Sequence, residues 1–115
     1  TLQPTQNDIA ALNRATHSVG LAVFAKADAG GYQLVVRAFC PADNIPEDPV
    51  TGSANASIAA LLHSTGRLPG VDGRYIASQG RELGRDGRVE VHVDAEGEVW
   101  IGGHVQAVIR GHMDC

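Results

Sequence analysis

Residues 47–64 read EDPVTGSANASIAALLHS, an approach containing proline that runs into a helix with no charged side chain before His63. Pro49 fixes its own φ and keeps Asp48 out of the helical region, so the chain must arrive extended and turn before the helix starts. Gly52 and Ser53 are expected to supply that turn and its cap, leaving a row of free N–H donors at the positive end of the helix. Such an end favours a carboxylate or a phosphate, yet the same fragment places Glu47 and Asp48 beside it. Over residues 54–62 the helix carries no charge and has small residues around most of its circumference, which predicts burial on nearly every side, with Gly66 as its stop. The material enclosing it must then be strands.

The rest of the chain supplies them. Residues 21–26 (LAVFAK) and 33–39 (QLVVRAF) predict a hairpin across Gly30-Gly31, and residues 88–93 (RVEVHV) alternate and return through Val99, Trp100 and Ile101 as a second hairpin. Between these, residues 74–78 (RYIAS) predict a strand and residues 79–87 a bend rich in glycine. Residues 104–110 (HVQAVIR) are expected to close the sheet. Ahead of them, a helix is expected to start at Pro4 or Thr5, with Ile9, Leu12 and Ala15 or Thr16 at helical spacing and Gly20 as its end. Residues 40–49 read as a loop. The sum is an α+β architecture, a strongly bent, mostly antiparallel, barrel-like sheet wrapped around one central helix. With 115 residues the chain is expected to be a single domain.

Composition removes several functions. Thirteen acidic against nine basic residues give a formal net charge of -4, and only 4% of residues are aromatic, which argues against nucleic-acid and anionic-membrane partners. No apolar run reaches the ~20 residues of a membrane span, so a cytoplasmic protein is expected. Cys40 and Cys115 lack metal-ligand spacing and are expected to be free thiols, Cys40 a buried structural one. The five histidines show no ligand pairing either, so no metal is expected, and His104 after the double glycine is the one that stands out. The chain starts at Thr1 and its one methionine is Met113, so it is expected to be a processed chain or a piece of a longer protein.

On the residues alone, two readings stay open at each candidate. Glu47 and Asp48 fit a solvated turn before a helix as well as a pair of functional acids. Gly52 and Ser53 fit a plain helix start as well as an anion site. Gln79, Gly80 and Arg85 border either a cleft or an ordinary bulge, and Trp100 is expected in the core.

Three stretches change the balance: RAFCPADNIPEDPVTGSAN at 37–55, SQGRELGRDGRVEV at 78–91 and VWIGGHVQAVIRG at 99–111. Together they resemble the phenazine-biosynthesis isomerase-like proteins, relatives in fold of diaminopimelate epimerase. The resemblance implies a molecule of two similar lobes with the active site between two facing helix ends, and this chain matches the second lobe. It implies that Asp48 lines the cleft as a catalytic group, and that Gly52 and Ser53, with Thr51, bind the carboxylate of a small substrate. It implies a proton shift without cofactor or metal, of the kind the best-understood member performs on a dihydro-hydroxyanthranilate. The principal acid/base of that family is a glutamate of the first lobe, and nothing in this sequence matches it. The chain is therefore expected to be a fragment, to pair with a first-lobe chain, or to form a homodimer. The rival from another class is a non-catalytic module that binds small anions or serves assembly.

Overall fold

The computed structural model describes residues 5–16, 20–27, 31–41 and 45–114. In chain order the elements are α1 (Gln6–Thr16), β1 (Leu21–Lys26), β2 (Leu34–Cys40), β3 (Ile45–Asp48), α2 (Gly52–Ser64), β4 (Arg74–Gln79), a 3-10 turn (Arg81–Leu83), β5 (Gly87–Val93) and β6 (Val99–Gly102). The six strands form one sheet in the order β1-β2-β4-β5-β6, with β3 also on β2. Every pairing is antiparallel except β2 with β4, whose crossover carries α2.

One edge of β2 is filled along its length by β1. The other edge is shared: β4 takes the Leu34–Val36 half, and β3 takes the half beyond it. Val36 is opposite Gln79 and Ala38 is opposite Asp48, so the end of β4 meets the end of β3 along one edge. This register brings together two residues far apart in the chain. β3 lies in the stretch read as loop; its Pro46 removes an N–H, which an edge strand tolerates.

Alternation sets the core. Val89, Val91 and Val93 of β5, Tyr75 and Ala77 of β4, and Leu34 and Val36 of β2 face Ile58, Ala59 and Leu62 of α2. Each large apolar side chain buried here contributes roughly 2 kcal/mol. α1 packs against β2 through Ile9, Ala10 and the polar Asn13, so its buried stripe lies one residue away from the expected one and Leu12 is exposed.

Three expectations are corrected. The sheet is open, not closed into a barrel, and α2 lies on one face of it. Its far side is uncovered, with Leu61 52% exposed. The small residues of α2 permit burial all round, but six strands do not reach round the helix. Second, residues 104–114 form no strand: they follow β6 with Val105 92% and Ile109 90% exposed. The alternating pattern is present there and a strand to pair with is not, among the described residues. Third, Trp100 is exposed, its indole N–H donating to Asp94 at 3.2 Å. The Gly30 half of the first hairpin turn, the start of α1 at Pro4, and Cys115 lie outside the described residues.

Candidate functional site at the start of α2

α2 begins at Gly52 and its N-cap is Thr51, not Ser53. The Thr51 backbone is extended (φ -131°, ψ 104°), and its hydroxyl makes no cap bond. It donates instead to Asp48 Oδ2 at 2.6 Å. The first intrahelical bond of α2 runs from the Asn55 N–H to the Thr51 carbonyl, at 3.2 Å. The amides of Gly52, Ser53 and Ala54 therefore have no protein acceptor among the described residues. Gly52 and Ser53 are exposed, and a Cβ placed on Gly52 meets nothing within 4 Å. The positive end of a thirteen-residue helix is thus open to an incoming anion.

The acidic pair before it separates into two roles. Glu47 is gripped by Arg37, with Arg37 Nη2 at 2.8 Å from Oε1 and Nε at 3.2 Å from Oε2. That two-point bond, followed by the nearby charge of Glu47, holds the Arg37 guanidinium above its ordinary pKa although burial opposes it. Arg37 also lies over the Phe39 ring, 5.0 Å from its centre. Glu47 is consequently neutralised in place, and Asp48 is the acid left beside the helix end. Its Oδ1 has no protein partner among the described residues.

The turn is held from below by Gln79, whose side chain is fully buried. Gln79 Oε1 accepts from the Thr51 N–H at 3.1 Å and from Asn55 Nδ2 at 3.0 Å, while Nε2 donates to the Asp48 carbonyl and to Thr51 Oγ1, both at 2.9 Å. Asn55 Nδ2 also reaches the Thr51 carbonyl at 2.8 Å. Gly80 follows in the left-handed region (φ +84°), where a Cβ would stand 2.7 Å from the Pro49 carbonyl oxygen. Gly87 is pressed between Val50 and the Gln79 carbonyl in the same way. The SQG and DGR segments therefore act as the cradle of residues 48–51. The sequence had marked Gln79 and Gly80 as bordering residues; the spacing of 28 between Gln79 and Thr51 hid their role.

Two recesses flank the helix end. One, of about 530 Å³, runs between β1 and the open side of α2 past Gly20, Cys40, Ser53 and Leu61. The other, of about 870 Å³, includes Gly52, Arg88 and His104. Cys40 is partly exposed in the first, not sealed in the core. Of the residues singled out by sequence, Asp48, Thr51, Gly52 and Ser53 come together; Arg85 is exposed and Glu47 belongs to the Arg37 pair. No three His, Cys, Asp or Glu side chains converge on a point among the described residues.

Comparison with known proteins agrees with this architecture. The profile of the phenazine biosynthesis-like proteins, PhzC-PhzF, matches residues 1–111. The chain belongs to this family. An uncharacterised isomerase of Deinococcus radiodurans is 43% identical over 98 residues, covering 84% of this chain and 31% of that protein. A second, from Clostridium acetobutylicum, is 35% identical across 97% of this chain and 39% of its own length. The fold is similar to that of a putative phenazine biosynthesis PhzC/PhzF protein from Clostridium difficile, with a TM-score of 0.62 and 23% identity over 96% of this chain and 39% of that one. The chain of this PhzF-like protein thus spans less than two-fifths of the length of these relatives. No helix among its described residues is long and apolar enough to cross a membrane.

Proposed function

We propose that this PhzF-like chain is the anion-holding lobe of a cofactor-independent isomerase that moves a proton on a small carboxylated metabolite. The observation that carries the reading is the exposed start of α2, where three unpartnered amides stand beside one fixed carboxylate. The amides of Gly52 and Ser53 hold the substrate carboxylate, because oriented N–H groups at a helix end stabilise negative charge without reorganising. Asp48 exchanges the proton through Oδ1. Thr51 serves the site through Asp48, since its N–H and hydroxyl are both engaged within the protein. The second acid that a proton shift needs comes, in this reading, from a first-lobe chain or from a second copy of this chain.

The test uses benzoate as a probe carboxylate added to the isotope-labelled chain. Selective movement of the Gly52, Ser53 and Ala54 amide signals is expected, and their failure to move sinks the reading. Asp48→Asn should keep benzoate binding and stop deuterium uptake from solvent into a carboxylated carbon acid when the lobes are assembled. Binding without any deuterium uptake in the unsubstituted assembly identifies the chain as an anion-binding module.

A further inference from the structure

Gln79 spends its whole hydrogen-bonding capacity on residues 48–55. A primary amide offers two N–H bonds and two lone pairs, and here all four meet a partner. The partners fix the orientation of the amide. The Thr51 N–H is a donor and must face Oε1; the Asp48 carbonyl is an acceptor and must face Nε2. Nε2 then points its second N–H at Thr51 Oγ1, which occupies a lone pair of that hydroxyl. The single hydroxyl proton is left to go to Asp48 Oδ2, 2.6 Å away. The sequence of donors runs one way, from Gln79 through Thr51 to Asp48.

We infer that Gln79 is the positioning residue of the site: by directing the Thr51 hydroxyl at Asp48 Oδ2 and holding the Asp48 carbonyl, it sets which carboxylate oxygen faces the helix end and keeps the Gly52 and Ser53 amides aligned with it. The inference rests on the reading of Asp48 and the helix amides as the working groups. Gln79 touches neither substrate nor any reacting atom; it acts through Thr51 and the backbone. Its neighbours support the assignment. Gly80 lets β4 end tightly enough against Pro49 for the Gln79 amide to lie beneath the turn, and Asn55 Nδ2 closes the ring of bonds from the helix side.

Gln79→Glu separates this role from simple packing. The glutamate has the same shape and keeps both accepted bonds, but as a carboxylate it donates none, so it competes with Asp48 for the Thr51 proton. The Thr51 hydroxyl proton, observed by NMR, is expected to exchange slowly with solvent in the unsubstituted chain and to lose contact with Asp48 in Gln79→Glu. Benzoate affinity should fall about tenfold, because the Gly52 and Ser53 amides lose their alignment and a second carboxylate lies beneath them. Gln79→Met, which removes all four bonds without adding charge, should speed hydroxyl exchange by about tenfold or more. Thr51→Ser should retain the slow hydroxyl, and Thr51→Val should weaken benzoate as Gln79→Glu does. An unchanged hydroxyl in a folded Gln79→Glu or Gln79→Met protein overturns the inference, as does a fast-exchanging hydroxyl in the unsubstituted chain. Absence of benzoate binding to the unsubstituted chain counts against the anion site alone, and the hydroxyl measurement still decides the role of Gln79.

Discussion

The turn before α2 and the run after β6 treat their chemical groups in opposite ways. In the turn, a fully buried amide side chain meets a partner at every donor and acceptor, and an acid beside it is neutralised by a forked arginine. In residues 104–114, no hydrogen bond forms with the described residues, and Val105, Val108, Ile109 and Met113 face water. Beneath the helix start the Gln79 bonds are all made; the tail holds a strand pattern that nothing in the described structure completes. Stability measured on this chain should therefore respond to substitutions in the turn and its cradle, and hardly at all to those in the tail.

That contrast can be broken by substitution. Gln79→Ala has the largest expected effect, about 3 kcal/mol of stability, because it leaves a cavity and strips partners from buried polar groups; urea unfolding measures it. Glu47→Ala should cost about 2 kcal/mol in the same assay, since it removes the two-point bond to a mostly buried arginine. Tyr75→Phe should act in the other direction. The Tyr75 hydroxyl is buried without a partner among the described residues, and burial pushes its pKa up to about 12 from 10.0. A raised acid keeps its full contribution below pH 10.0 and loses it as pH rises towards about 12, so unfolding in alkali should begin there. The phenylalanine should add about 1 kcal/mol and remove that alkaline loss. In the tail, Val105→Asp and Ile109→Asp should change stability by less than about 0.5 kcal/mol while reducing self-association in light scattering. A large loss there would show that the tail is packed after all.

The smallest effect concerns Asp94. Its carboxyl is held below its ordinary value of 3.8 chiefly by the Glu98 N–H, then by the Trp100 indole and the Glu96 N–H. A depressed carboxylate stabilises above that ordinary value and stops doing so as pH falls through its own lower one. Loosening of the β5–β6 hairpin, followed by Trp100 fluorescence, is thus expected only below about pH 3.8. Asp94→Asn should abolish the transition.

Much of this was legible from local pattern. The first hairpin follows from two apolar runs around a double glycine and the second from alternation, and the helix start at residues 51–53 follows from Pro49, Gly52 and the uncharged run behind them, with the cap displaced by two residues onto Thr51. The acids were visible and their separation was not. The Arg37 and Gln79 partners that distinguish Glu47 from Asp48 arrive through strand register, which no spacing within 37–55 displays. Small residues around α2 showed what could be buried, while the width of the sheet decided what is. β3 was hidden for a related reason: an edge strand of four residues with a proline carries no periodicity to read.

The parallel pairing of β2 with β4 has a consequence in time. The Thr51 N–H is donated to a side chain that arrives only when β4 has docked, after α2 and the following turns have been made. Because the acceptor is a fully buried side chain of β4, that hydrogen is expected to exchange with solvent at the pace of the central strands. The groups proposed to meet a ligand would then be assembled by one of the most distant connections in the chain, and they would persist as long as the sheet does.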